Sequence, residues 1–327
     1  MKVQELRDHL KSADREWVEK AFAECYKCLP KSKKEEMDDI LLQILAGTEK
    51  KKLEKKAVDF DALEREIQIF LDNAYAQNYF APNRVIPKSQ RPKWRFLVKN
   101  YIKELEKIPA ESENYSRMLK LLRDLYCMLC YGCSYYIFST EDAFRSVGWK
   151  QEELFHMLVK KTLSPGYSKE AVKQLLVDAC GGGLSRESLH VYQLLVLLVE
   201  LKTSDVKYMT IEVSKELAAE RTAKLKTMKP HAHGSYDLRE EINNLSGMVL
   251  MLSLSLAELE EGVRYFFANC REPNQEIVLY RALDFTEYVG DDRQWMQVYE
   301  YGIKKKISPR EYLQDKYEKL KLEESEN

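Results

Sequence analysis

Chain breakers are scarce in this sequence. It has 12 glycines and 9 prolines in 327 residues, too few for a collagenous or turn-dominated chain, and they leave long stretches free to stay helical. Period-two alternation of apolar and polar residues is missing as well. Tyr208–Val213 is the one stretch that admits a strand, and a helix reads better there. No apolar run reaches bilayer length. The longest uncharged stretches, Leu125–Thr140 and Leu245–Ala257, fall short of the roughly 18–20 residues a span needs, so no membrane partner is expected. The start, Met1-Lys2-Val3-Gln4-Glu5, is no apolar signal segment. Histidine is rare, five in all. No Ser/His/Asp order, paired-carboxylate site or cofactor loop stands out, so no cofactor and no catalytic residue is assigned.

What is present is ordinary for a folded protein: 45% hydrophobic and 32% charged residues. Helical period dominates. Val18, Phe22, Cys25 and Leu29 follow one stripe; Leu63, Ile67, Phe70, Leu71 and Ala74 follow another, each with charge opposite. Gly47 reads as a C-cap after Ile40, Leu41, Ile44 and Leu45. Ser308-Pro309-Arg310-Glu311 reads as a capping box with proline at the first helical position. Helices are expected near 3–11, 13–29, 31–46, 60–79, 93–107, 113–138, 140–147, 150–163, 168–180, 186–203, 205–227, 236–268, 274–289, 291–305 and 309–322. The apolar stretch Met248–Leu256 makes the helix near 236–268 the expected buried axis of the C-terminal half. The fold class is all-α: many short helices joined by short turns as antiparallel hairpins.

Glu153-Leu154-Phe155-His156 and Glu187-Ser188-Leu189-His190 echo one another 34 residues apart. In spacing, over roughly Trp94 to Leu225, the chain resembles HEAT-, armadillo- and tetratricopeptide-type α-solenoids, although no repeat consensus is matched. The resemblance implies a groove that binds a protein or peptide partner. Pro82, Pro87 and Pro92 interrupt the pattern, which divides the chain into an N-terminal helical region (1–80), a basic linker (81–92) and a helical-repeat-like domain (93–327), with a further break at 228–235.

Seven cysteines is an odd number. Most lie inside helical patterns, which points to free thiols in a reducing, cytoplasmic setting. Cys25-x-x-Cys28 and Cys127-x-x-Cys130-x-x-Cys133 carry metal-like spacing, but a zinc site draws its four ligands from turns, whereas these cysteines read as small core hydrophobes. The two Glu-x-x-His pairs resemble half of a di-iron ligand set and supply the candidates, Glu153, His156, Glu187 and His190, for an unrecognised, possibly metal-dependent enzyme. First-turn glutamates, however, are expected from the helix dipole alone. His231-x-His233 reads as a loop, and Gly181-Gly182-Gly183 as a tight turn between helices rather than a phosphate cradle.

The net charge is -1, unevenly spread. Through Lys103 there are 22 basic and 17 acidic residues, a net of +5, which leaves -6 for the remainder. Arg84, Lys88, Arg91, Lys93, Arg95, Lys99 and Lys103 lie in a segment without one acidic side chain and interleave with Trp94, Phe96 and Tyr101. They form the candidate anion- or partner-binding surface, with Arg91 and Lys99 expected on the outside and Trp94 in the core. A nucleic-acid-binding protein is the alternative function: it would use this segment and the region 140–163, where Phe144-x-x-Val147-Gly148-Trp149 followed by Leu154-Phe155 resembles a helix-turn-helix.

Overall fold

A computed structural model describes residues 3–30, 33–34, 37–38, 41–42, 45, 59–229 and 232–326. Among these residues there are fifteen α-helices and no strand. No helix among them is long and apolar enough to cross a membrane. Part of the helix expected near 31–46, the Gly47 cap and His231 lie outside the described residues.

The chain divides into two compact units, Met1–Asp59 and Phe60–Asn327. The first contains α1 (Val3–Ser12) and α2 (Arg15–Lys27). The apolar stripe of α2 is real, but it is not a core: no residue of that helix is buried, Trp17 and Phe22 are exposed, and so are Cys25 and Cys28. The reading of Cys25 as a packed core residue is therefore corrected. Periodicity marks an apolar face and says nothing about what covers it.

The second unit contains α3 (Phe60–Tyr75), α4 (Trp94–Glu106), α5 (Tyr115–Ser134), α6 (Ala143–Val147), α7 (Gln151–Leu163), α8 (Lys169–Cys180), α9 (His190–Glu200) and α10 (Ser204–Thr227). These are followed by α11 (Ser235–Ser255), α12 (Leu259–Asn269), α13 (Gln275–Val289), α14 (Asp292–Lys304) and α15 (Glu311–Glu326). Packing is local in sequence. α3 and α4 lie on α5, α5 on α6 and α7, α7 on α8 and α9, and α8 on α10; α13 lies on α14 and α14 on α15. One continuous core runs from Phe60 to Leu313. The proline segment 81–92 lies inside this unit as an ordered loop. Asn83 Oδ1 accepts from the Val85 and Ile86 amides (2.9 and 2.8 Å), and the Arg91 guanidinium donates to the Ile86 and Asn83 carbonyls (3.1 and 3.2 Å).

α11 is the buried axis of the C-terminal half. It packs on α8, α9, α10, α12 and α13, and every residue from Ile242 to Leu254 is buried. A helix apolar all round requires such cover. Gly247 lets the Phe285 ring lie directly against its backbone, where a β-carbon would collide. The expected helix 236–268 is in fact two. Ala257 takes a left-handed φ of 61°, and the chain turns there into α12. No glycine or proline announces this break; α12 turns back because its own apolar face, Val263 and Phe266, docks beside α11.

Candidate functional site

The glycine triplet that ends α8 is the floor of the main concavity. Gly183 lies so close to the Cys130 carbonyl and Ser134 Oγ, at the end of α5, that no side chain fits, and Gly182 takes a φ of 82° that favours glycine. Gln151, 2% exposed, clamps the turn: its amide donates to the Gly183 carbonyl (3.2 Å) and its Oε1 accepts from the Ser185 amide (2.8 Å). Asp142 holds the next step. Its carboxylate caps α6 through the Arg145 amide (3.0 Å) and accepts from Ser185 Oγ (2.7 Å) and the Arg186 amide (3.1 Å). Burial alone would raise its pKa, but these hydrogen bonds outweigh it and hold the carboxyl below the ordinary range.

Above this floor opens a cleft of about 1350 Å³. One wall is α5, with Arg123, Cys127 and Tyr131, and its C-cap Tyr135; the other comes from α11 and α13, with Tyr236, Asp237, Glu240, Asp284 and Tyr288. The tyrosines are exposed, and Tyr131 stacks on Tyr135 with ring centroids 4.5 Å apart. The three arginines of the lining are each held by a carboxylate of the chain. Arg123 grips Asp178 with two hydrogen bonds (2.7 and 2.8 Å), Arg281 grips Glu240 with two (3.0 and 2.9 Å), and Arg221 Nε meets Glu241 at 2.8 Å. Burial pushes the Asp178 carboxyl up against the pull of its arginine. His190 also lines the cleft. Its Nδ1–H donates to the Ala179 carbonyl (3.2 Å), which leaves Nε2 as an acceptor, and burial pushes its pKa down.

The two Glu-x-x-His pairs do not meet. His156 bonds Glu200 at the far end of α9 (2.8 Å), whereas His190 begins α9, and that helix is about 15 Å long at 1.5 Å per residue. Glu187 lies in the turn before α9, so the second pair is not even on one helical face. Among the described residues no group of three or more His, Cys, Asp or Glu is arranged to hold a metal ion. Cys130 is buried in α5, and Cys127 and Cys133 are half-buried.

The helix-turn-helix-like string does form two helices around a left-handed Gly148 (φ 77°), with the Trp149 amide on the Phe144 carbonyl (3.2 Å) and the Gly148 amide on that of Arg145 (3.1 Å). The second of them, α7, buries Gln151, Leu154, Phe155, Leu158 and Val159 and is flanked by α5, α8 and α9.

Of the basic segment, Arg84, Lys88, Lys93, Arg95 and Lys103 are exposed, while Arg91 and Lys99 are half-buried, which corrects their expected exposure. Arg91 is occupied by the loop carbonyls, and Lys99 packs near Gly148. None of the seven forms an ion pair among the described residues. Trp94 is a core anchor, 5% exposed and stacked on Phe138 at 3.7 Å and 6°.

The basic segment is legible in the sequence; the cleft is not, because its lining, from Arg123 to Tyr288, spans 165 positions and follows no local pattern. Comparison of the chain with protein-family models, curated proteins and solved structures finds no match.

Proposed function

We propose that this protein is a non-catalytic helical-repeat scaffold that binds a segment of a partner protein in the cleft between α5 and the α11–α13 wall. The cleft itself carries this reading. Its volume of about 1350 Å³ exceeds the roughly 300–1,000 Å³ common for small-molecule pockets. Its exposed tyrosines supply large, rigid contact area at little entropic cost. The α-solenoid resemblance is supported by helices that pack mainly on helices one to three places away in sequence, as stacked helical hairpins do. The test is a comparison of wild-type protein with Leu189→Trp as bait. Leu189 is exposed on the cleft floor, and an indole there intrudes on the concavity without changing charge. A partner held by the wild type and lost by the variant is the expected result; equal capture by both would remove the cleft from the function.

A second reading, an anion-binding surface on the basic segment, is favoured by one observation: Arg84, Lys88, Lys93, Arg95 and Lys103 are exposed and have no carboxylate partner among the described residues. Polyanion binding there would weaken steeply with salt, each neutralised phosphate adding about 0.9 to the log–log slope on duplex DNA. Arg95→Glu/Lys103→Glu would flatten that slope with the fold intact. Arg91 is unsuitable for this test because it holds its own loop.

A further inference from the structure

We infer that the cleft's ligand is a cationic peptide segment, with Lys or Arg side chains set between the tyrosines of α5 and the carboxylates of α11 and α13. The inference rests on the cleft being a peptide site at all.

The sign comes from the lining. It contains Arg123, Arg221 and Arg281 against Asp178, Asp237, Glu240, Glu241, Asp284 and Glu287, three positive charges to six negative. Each arginine is already taken by a carboxylate of the chain, so an anionic ligand could recruit one only by stranding its partner. The acids left over point the other way. Neither Asp237 nor Asp284 has an ion-pair partner among the described residues, and Glu287 has only Lys316. Desolvation, and then the neighbouring Glu287, raises the Asp284 pKa against the opposing pull of Arg281 and Lys316, neither of which pairs with it directly. Helix ends of both signs meet at the cleft, since α5, α8 and α13 end there while α9 and α11 begin there, so their terminal charges partly cancel.

Two further features suit the same ligand. Tyr131 and Tyr135 on one wall and Tyr236 and Tyr288 on the other are exposed tyrosines in the lining, the residue type against which a guanidinium or ammonium packs favourably. On the floor, Asn244 is 3% exposed; its amide donates to the Cys180 carbonyl (3.1 Å), and its Oδ1, with no donor among the described residues, is left as an acceptor for a ligand N–H.

The experiment uses the full chain and three fluorescein-labelled peptides, (Gly-Arg)6, (Gly-Glu)6 and (Gly-Ser)6, followed by anisotropy, together with a displayed random 12-residue library counter-selected on Leu189→Trp. The expected result is that (Gly-Arg)6 alone binds, that Asp237→Asn/Asp284→Asn weakens it at least tenfold, and that Tyr131→Ala weakens it without any change of charge. The library should yield Lys- and Arg-rich sequences. Cleft-dependent sequences that are neutral or acidic would overturn the cationic ligand and leave the peptide site standing. No cleft-dependent sequence of any composition would overturn both. A concentration-dependent dimer abolished by Asp237→Asn/Asp284→Asn would give the cleft to the basic segment of a second copy, and would likewise overturn the partner assigned here.

Discussion

Single side chains in this protein do separable jobs, and Trp94 and Asp142 show the range. Trp94 stacks face to face on Phe138 inside the core. Trp94→Ala should cost about 3–5 kcal/mol in a denaturant melt, with no specific loss of ligand binding; unchanged stability together with lost binding would mean that the indole serves a ligand. Asp142 joins the N-terminus of α6 to the turn that floors the cleft. Its depressed pKa means that its contribution is complete above the ordinary carboxylate value of about 3.9 and disappears as pH falls through the lower, folded value. Asp142→Asn keeps one acceptor and turns an NH2 toward the Arg186 amide. It should lose about 1–3 kcal/mol at neutral pH and show a shallower decline than wild type below about pH 4 in urea midpoints. Asp178 acts with the opposite sign, since its pKa is raised by burial. Its safeguard is Arg123, and Arg123→Ala should cost about 3–5 kcal/mol by leaving that carboxyl uncompensated.

At the scale of elements, α11 sets the stability of its half of the second unit. Leu250 is fully buried in the middle of it. Leu250→Asp should give protein that is insoluble or lacks a cooperative melt, because it puts a carboxylate at a fully buried position of the hydrophobic core; a wild-type melting temperature would contradict the placement of α11. This helix also shows how far the sequence could be read. Its apolar surround was legible because burial on all sides removes the polar stripe, as in Met248–Leu252. Its end was not, because Ala257 turns left-handed without glycine or proline, under tertiary rather than local control. The same holds for α2, whose stripe was legible and whose lack of cover was not. The basic strip could be counted from the sequence. The cleft could not, since its tyrosines and acids are individually ordinary surface residues and acquire meaning only when α5, α11 and α13 are brought together.

At the scale of the whole molecule, the thiols fall into two groups. Cys25 and Cys28 are exposed, whereas Cys130, Cys180 and Cys270 are buried and Cys127 and Cys133 half-buried. Burial pushes the thiols of the second group up, Cys127 to about 12. Only the thiolate reacts with a disulfide reagent, so the half-buried Cys127 and Cys133 react more slowly than the exposed pair, and the buried Cys130, Cys180 and Cys270 wait until the fold around them opens. Modification with Ellman's reagent should therefore release two equivalents quickly and the rest more slowly. Three of the slower sulfurs, those of Cys127, Cys130 and Cys180, line the cleft. They form a clock built into the site: a ligand that settles there should slow their reaction and leave the Cys25 and Cys28 phase unchanged, so occupancy can be timed on the natural protein with no label added.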